Sequence, residues 1–170
     1  PFFAIKVVIL GTESTGKSTM VKALSEHFKC SMVSEAGRDI ISNSQSFDLS
    51  SLVDVVNEQT KRIEAAMVGD SQLIIIDTDI HITKSYSKFI FDMELDFNKR
   101  DFEIQKANLY LYLNNDVEHV QDGTRLDKNK RDLLDISHRE ILNNHNIKLV
   151  EISGSWEERL GEAIKCVAQI

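Results

Sequence analysis

Residues 11–19 read Gly11-Thr12-Glu13-Ser14-Thr15-Gly16-Lys17-Ser18-Thr19. This is a complete G-x-x-x-x-G-K-[ST] phosphate-binding loop, with Gly11, Gly16, Lys17 and Ser18 in its fixed places. Each place has a mechanical task. Glycines let the backbone curl, so that the N–H groups of Ser14, Thr15, Gly16, Lys17 and Ser18 point inward at a phosphate chain. The start of the following helix adds partial positive charge. Lys17 is placed to reach the β- and γ-phosphates of ATP, and the Ser18 hydroxyl to coordinate Mg2+.

The flanking sequence supplies the context that the motif needs. Residues 4–10 form a short apolar run rich in β-branched side chains, as in a strand covered on both faces. Met20, Val21, Leu24 and Phe28 follow at helical spacing. Working outward, strands are expected at 31–34, 72–77, 108–113 and 147–152, the third being the most apolar and so central. Helical stretches separate them. Leu49, Leu52, Val53, Val56, Thr60, Ile63 and Met67 mark a long amphipathic helix, with Ser51 and Asp54 at capping-box spacing near its start. Leu133, Leu134, Ile141 and Leu142 mark another. Trp156, Leu160, Ile164 and Val167 mark the last, with Ser155 and Glu158 as a second box. Such alternation predicts an α/β fold, a parallel sheet with helices on both faces, in a single domain over residues 1–170.

Composition bounds the partners. Hydrophobic content of 42% and charged content of 28% are ordinary for a globular chain of 170 residues. A net charge of −7 argues against a nucleic-acid partner. The apolar runs are only a few residues long, too short to cross a bilayer, so no membrane partner is expected. The start carries no basic, apolar and small-residue signal pattern, and a cytoplasmic enzyme is expected. Cys30 and Cys166 are isolated in sequence and read as reduced thiols. The first residue is Pro1 rather than Met, which fits a domain cut from a longer protein.

In a sheet of this kind, ligands bind at the carboxyl ends of the strands. The apolar run Ile74-Ile75-Ile76 ending in Asp77 is a Walker B pattern, so Asp77 would hold Mg2+ through Ser18 or a bound water. Asp79 reads equally as a ligand for a substrate hydroxyl or as the cap of a helix over residues 80–91. Glu35, at the end of the second strand, would face the γ-phosphate and take a proton from an attacking alcohol; the bland alternative is a helix cap or an ion pair with Arg38. Arg38 would hold substrate phosphate or orient Glu35. The stretch 122–131, with Arg125 and Arg131, reads as a lid whose arginines enter on closure, or as a solvated loop. Trp156 reads as a core anchor of the last helix rather than an adenine platform. The five histidines show no zinc-like pairing.

Other P-loop classes fit less well. A signalling GTPase needs D-x-x-G after the third strand, where Asp77-Thr78-Asp79-Ile80 stands. It also needs N-K-x-D after a later one, where Asn114-Asn115-Asp116 lacks the Lys. A large motor or AAA-type ATPase calls for more chain than this.

Four motifs in order carry a more specific resemblance: the loop at 11–19, Glu35-Ala36-Gly37-Arg38-Asp39, the stretch from Ile76 to Thr83, and Asp122-Gly123-Thr124-Arg125. Together they resemble the ribosylnicotinamide kinase domain of NadR-type proteins, with G-x-E-S-x-G-K-S, E-x-[AG]-R-[ED], D-T-D-x-x-T-T and D-G-x-R motifs. The third departs at His81-Ile82-Thr83-Lys84, where one Thr of the pair is kept. The resemblance spans nearly the whole chain. It implies a five-stranded parallel sheet in the order 2-3-1-4-5, and phosphorylation of nicotinamide riboside by ATP to nicotinamide mononucleotide. It implies further that Glu13, Lys17, Ser18 and Thr19 belong to the ATP–Mg2+ site, that Glu35, Arg38, Asp77 and Asp79 face the riboside, and that Arg125 is the lid arginine. Adenylyltransferase and DNA-binding domains precede the kinase domain in some members. Two other functions stay open: a kinase of the same fold for another small alcohol, and an ATP-binding sensor without turnover.

Overall fold

The computed structural model describes residues 3–42, 47–116 and 127–170. Strands β1 (Ile5–Leu10), β2 (Ser31–Val33), β3 (Leu73–Asp77), β4 (Leu109–Leu113) and β5 (Leu149–Ile152) form one sheet. Every neighbouring pair is parallel and the order is β2-β3-β1-β4-β5, as the resemblance implied. The connecting helices are α1 (Lys17–Phe28), α2 (Ala36–Ser42), α3 (Leu49–Val68), α4 (Ile80–Phe91), α5 (Lys99–Gln105), α6 (Lys128–Asn144) and α7 (Trp156–Ala168). Two of these, the short α2 and α5, go beyond the sequence expectation, because neither carries two full turns of apolar periodicity.

The continuous apolar character of β1 has a direct cause. Val7 and Ile9 point to one face and pack against Met20, Val21 and Leu24 of α1 and Ala163 and Val167 of α7. Val8 and Leu10 point to the other and meet Ile63 of α3, Ile82 of α4 and Leu142 of α6. A strand buried on both faces has no polar positions to alternate. Each of these side chains contributes about 1.5–3 kcal/mol on burial.

Helix starts follow local chemistry. The capping box of α3 is Asp48 with Ser51: the Asp48 side chain accepts from Ser51 N, and the Ser51 side chain accepts from Asp48 N. This corrects the expected Ser51–Asp54 pair. The helix begins three residues earlier, with Asp48 as its cap and Leu49 in the first turn. The buried stripe of α3 is correspondingly Leu52, Val55, Val56, Gln59, Thr60 and Ile63, while Val53 faces outward. The Ser155–Glu158 box of α7 forms as expected. Cys30 and Cys166 are both free thiols.

Register positions the site. Ile9 lies beside Asp77, and Thr78 N donates to Ile9 O at 3.0 Å, so the end of β3 stands next to the loop after β1. Val33 lies beside Ile76, so Glu35 emerges close to Thr78. Among the described residues, no helix is long and apolar enough to cross a membrane.

Candidate active site

The loop after β1 has the strained backbone that a phosphate cradle needs. Gly11 (φ 145°) and Gly16 (φ 86°) take conformations that favour glycine, and Ser14 (φ 61°) joins them. Gly11 is required for a second reason. A Cβ there would stand 2.7 Å from the Leu113 carbonyl oxygen at the end of β4. The loop is braced from within: Thr15 Oγ1 and Lys17 Nζ each donate to Thr12 O at 2.8 Å. Lys17 belongs to neither core cluster and stands in the first turn of α1.

Ser18 and Asp77 meet. Ser18 Oγ donates to Asp77 Oδ2 at 2.8 Å, and Thr78 Oγ1 donates to Asp77 Oδ1 at 3.1 Å. Asp77 is only 2% exposed. A hydroxyl and a carboxylate side by side are the hard oxygen donors that Mg2+ prefers, and that ion takes one or two protein oxygens with substrate phosphates completing its shell. Among the described residues no cluster of three or more His, Cys, Asp or Glu forms a cage for a dedicated metal. The residues present therefore fit Mg2+ held jointly with a nucleotide.

Glu35 sits where two recesses meet. One is a cavity of about 40 Å³ between α2, α3 and α4, lined in part by Glu35, Leu52, Val55, Gln59, Asp79 and Tyr86. The other, of about 200 Å³, is lined by Ser18, Met32, Glu35, Arg38 and Asp77 among others. Burial pushes the Glu35 carboxyl above the usual carboxylate range. Lys17 and Arg38 oppose that shift, and Asp77 and Glu13 reinforce it. Arg38 Nη2 donates to Ser18 Oγ at 3.1 Å and lies 3.9 Å from Glu35 Oε2. Burial likewise raises the Tyr86 phenol, with Glu13 and Glu35 adding to the effect.

Asp79 caps α4. Its Oδ1 accepts from His81 N at 3.0 Å and Ile82 N at 3.4 Å, and its Oδ2 lies 2.7 Å from His81 Nδ1. The cap reading, one of the two left open by the sequence, is the arrangement adopted. Thr78, just before it, holds φ 69°, a conformation costing a β-branched residue about 1–3 kcal/mol. Such strain persists where neighbours over-determine it, here through Ile9 O, Asp77 and Gln59.

Three further residues were missed or misread in sequence. Trp156 does not anchor the core. It is 37% exposed, and a Cβ on Gly16 would lie 3.9 Å from its ring, so it stands over the phosphate loop. Leu160, Ala163, Ile164 and Val167 take the anchoring role. Arg159 gave no signal at all, yet it is 1% exposed and ties the loop ends together. It donates to Gly154 O at 2.9 Å, Asn114 O at 2.8 Å and Thr15 O at 3.5 Å, and pairs with Asp116. Gln59 did leave a signal, being a polar residue in the buried stripe of α3. Arg131 lies buried on α6, 3.4 Å from Asn115 O, which sets aside the solvated-loop alternative for that residue. Arg125, the motif at 122–125 and half of the expected lid, residues 122–126, fall outside the described residues, while residues 127–131 form the cap and first turn of α6.

His138 of α6 is fully buried, with Nδ1 2.7 Å from Ser85 Oγ and Nε2 without a partner among the described residues. Burial, and secondarily Lys17, push its pKa down to about 3. The folded state thus keeps it neutral, whereas the unfolded chain protonates it near pH 6.5. Its contribution to stability is present above that pH and is lost as pH falls toward 3, by at most ~1.4 kcal/mol per pH unit. His81 works in the opposite sense. Burial lowers its pKa, but Asp79 outweighs this and raises it, so its contribution fades as pH rises above 6.5. Urea unfolding of His138→Gln between pH 7.5 and 4.5 is expected to show a shallower acid loss than wild type. Parallel slopes would contradict this.

Comparison with known proteins agrees with these features. The family described as AAA domain matches residues 6–159, and the chain belongs to it. That membership corrects the length argument against an AAA-type domain: one of this family fits within the matched stretch. The trifunctional NAD biosynthesis/regulator protein NadR of Salmonella typhimurium is 27% identical over 98% of this chain and 42% of its own length. The Escherichia coli protein of the same name is 28% identical over the same shares. The chain therefore spans about two fifths of the length of these curated relatives. A crystal structure of a NadR protein in complex with NR superposes with a TM-score of 0.78 at 20% identity, covering 98% of this chain and 51% of that one. Thymidylate kinase from Ehrlichia chaffeensis gives 0.70 at 15%, covering 97% of this chain and 99% of that one. The expected resemblance to NadR-type proteins is borne out along nearly the whole chain. The fold is that of P-loop kinases.

Proposed function

We propose that this member of the AAA-domain family is an ATP-dependent kinase that phosphorylates the 5'-hydroxyl of nicotinamide riboside, giving nicotinamide mononucleotide. One observation carries the proposal. Glu35 forms part of the wall of both recesses, facing the Ser18–Asp77 pair on one side and the partly apolar cavity under α3 and α4 on the other. An acceptor hydroxyl brought to Glu35, where the two recesses meet, would lie between that carboxylate and a nucleotide on the phosphate loop. The similarity to NadR, and the NR bound in the superposed NadR structure, support nicotinamide riboside as that acceptor.

In this reading the loop N–H groups of residues 14–18 and Lys17 bind the ATP phosphates, with Gly11, Glu13 and Thr19 shaping the cradle. Ser18 and Asp77 would hold Mg2+, which would supply neutralisation of the phosphate charge. Glu35 accepts the proton of the attacking hydroxyl. Arg38 leaves Ser18 for the phosphoryl group or holds Glu35 in place, and Asp79 shapes the acceptor cavity through its cap. Arg125 is assigned by resemblance as the arginine that stabilises charge on the transferred group. Phosphoryl transfer asks little covalent work of the protein, so positioning and electrostatics carry the catalysis.

Asp77→Asn is expected to lower kcat on the order of 100-fold and to raise the Mg2+ concentration needed for half-maximal rate, since one hard donor is lost. A Mg2+ titration of wild type and variant checks this. The acceptor is tested with a panel: kcat/KM for nicotinamide riboside, thymidine, uridine, deoxyadenosine and thymidylate at saturating MgATP. Nicotinamide riboside is expected to lead by at least about tenfold. A clear preference for another nucleoside would move the protein to that substrate, and ATP binding without turnover on any acceptor would make it a sensor.

A further inference from the structure

We infer that Gln59, from the middle of α3, holds the two carboxylates of the site in register, acting as a positioning residue for phosphoryl transfer. The inference rests on the reading of Glu35 as the base and Asp77 as the metal ligand. Gln59 is 4% exposed and lies in the stripe otherwise made by Leu52, Val55, Val56 and Ile63. A carboxamide there is costly unless its hydrogen bonds are made. They are. Oε1 accepts from Ala36 N at 2.9 Å, and Nε2 donates to Asp77 O at 3.2 Å and Thr78 O at 3.4 Å. The amide orientation is dictated by its partners, since an N–H needs an acceptor and two carbonyls need donors.

The location of those partners gives the arrangement its meaning. Pairing between β2 and β3 ends at Val33 and Ile76. Beyond that point the chains diverge, one into α2 through Glu35 and Ala36, the other into α4 through Asp77, Thr78 and Asp79. Gln59 bridges the two where sheet hydrogen bonding has stopped, gripping the residue after Glu35, Asp77 itself and the residue after it. It also helps to hold Thr78 at φ 69°, the backbone kink that turns the chain out of β3. Loss of this bridge frees the separation of Glu35 and Asp77 while leaving the phosphate loop on β1 untouched.

Two substitutions test this. Gln59→Leu removes all three bonds at nearly constant volume. Gln59→Glu keeps the acceptor for Ala36 N and sets a carboxylate against two carbonyls. Both are assayed in the whole chain with MgATP and nicotinamide riboside, beside the same substitutions in a Glu35→Gln background. Each is expected to lower kcat on the order of 10–100-fold, as a misplacement of about 1 Å does, with the KM for ATP within about twofold of wild type. In the Glu35→Gln background the further loss is expected to shrink to about threefold or less, because no base remains to be aligned. If Gln59→Leu fails to fold, Gln59→Glu carries the test. Unchanged kcat, equal loss of kcat and ATP KM, the same fold-loss in both backgrounds, or failure of both variants to fold would overturn the inference. Wild type inactive on every acceptor would overturn the proposed function and this inference with it. Active wild type with indifferent variants would overturn the inference alone.

Discussion

Lys17→Ala is expected to lower kcat about 100- to 1,000-fold and to leave the fold intact. The magnitude follows from removing one fixed positive donor from a site where charge is transferred, a loss of about 2.7–4 kcal/mol of transition-state stabilisation. The intact fold follows from what Lys17 touches. Its ammonium donates to Thr12 O at 2.8 Å, within its own loop, and its side chain takes no part in either core cluster. That bond braces a loop already held by Thr15 Oγ1 on the same carbonyl. Thermal melts should therefore nearly coincide, while steady-state rates separate by orders of magnitude. A variant that turned over like wild type would contradict the assignment of the loop as the phosphate cradle.

Glu35→Gln is expected to lower kcat about 100- to 10,000-fold, the range for removal of a general base, with little change in the KM for ATP. Gln keeps the shape and loses the proton acceptor. The pH dependence gives an independent check. Burial raises the Glu35 pKa, against Lys17, and with Asp77 and Glu13 adding to it. A base must be ionised, so wild-type kcat is expected to fall on acidification at a pH above the ordinary carboxylate range. That acid limb should be absent from Glu35→Gln. Equal kcat in the two proteins, or an identical acid limb, would remove Glu35 from the reaction.

How much of this was legible in the sequence depends on the kind of signal involved. The parallel sheet was legible because β1 and β3 are buried on both faces and so carry unbroken runs such as Ile74-Ile75-Ile76. The Ser18–Asp77 meeting was legible because two fixed motifs sit on strands that pair directly, Ile9 beside Asp77. The strand order came from the resemblance to NadR-type proteins, since periodicity is blind to which strands neighbour each other. Trp156 was misread because an aromatic at helical spacing looks like core; its place at the first position of α7 puts it over Gly16 instead. The cap of α3 was misplaced because Asp48 and Ser51 satisfy the same pattern as Ser51 and Asp54, and only Leu49 in the first turn decides between them. Arg159 was invisible because its partners, the backbone carbonyls of Asn114, Gly154 and Thr15 and the Asp116 carboxylate, are brought together by the fold and not by any spacing. Gln59 lay between these cases. Its position in the buried stripe was readable, but its partners were not.

The proposed reaction transfers the γ-phosphoryl group of ATP to the 5'-hydroxyl of nicotinamide riboside. The most direct measurement is phosphorus NMR of the purified chain with MgATP and nicotinamide riboside, followed in time. A phosphomonoester resonance at the position of nicotinamide mononucleotide is expected, growing in step with ADP at a rate on the order of 1–100 per second per site. ADP accompanied only by inorganic phosphate, or no change in a sample that promptly phosphorylates a different nucleoside, would contradict it.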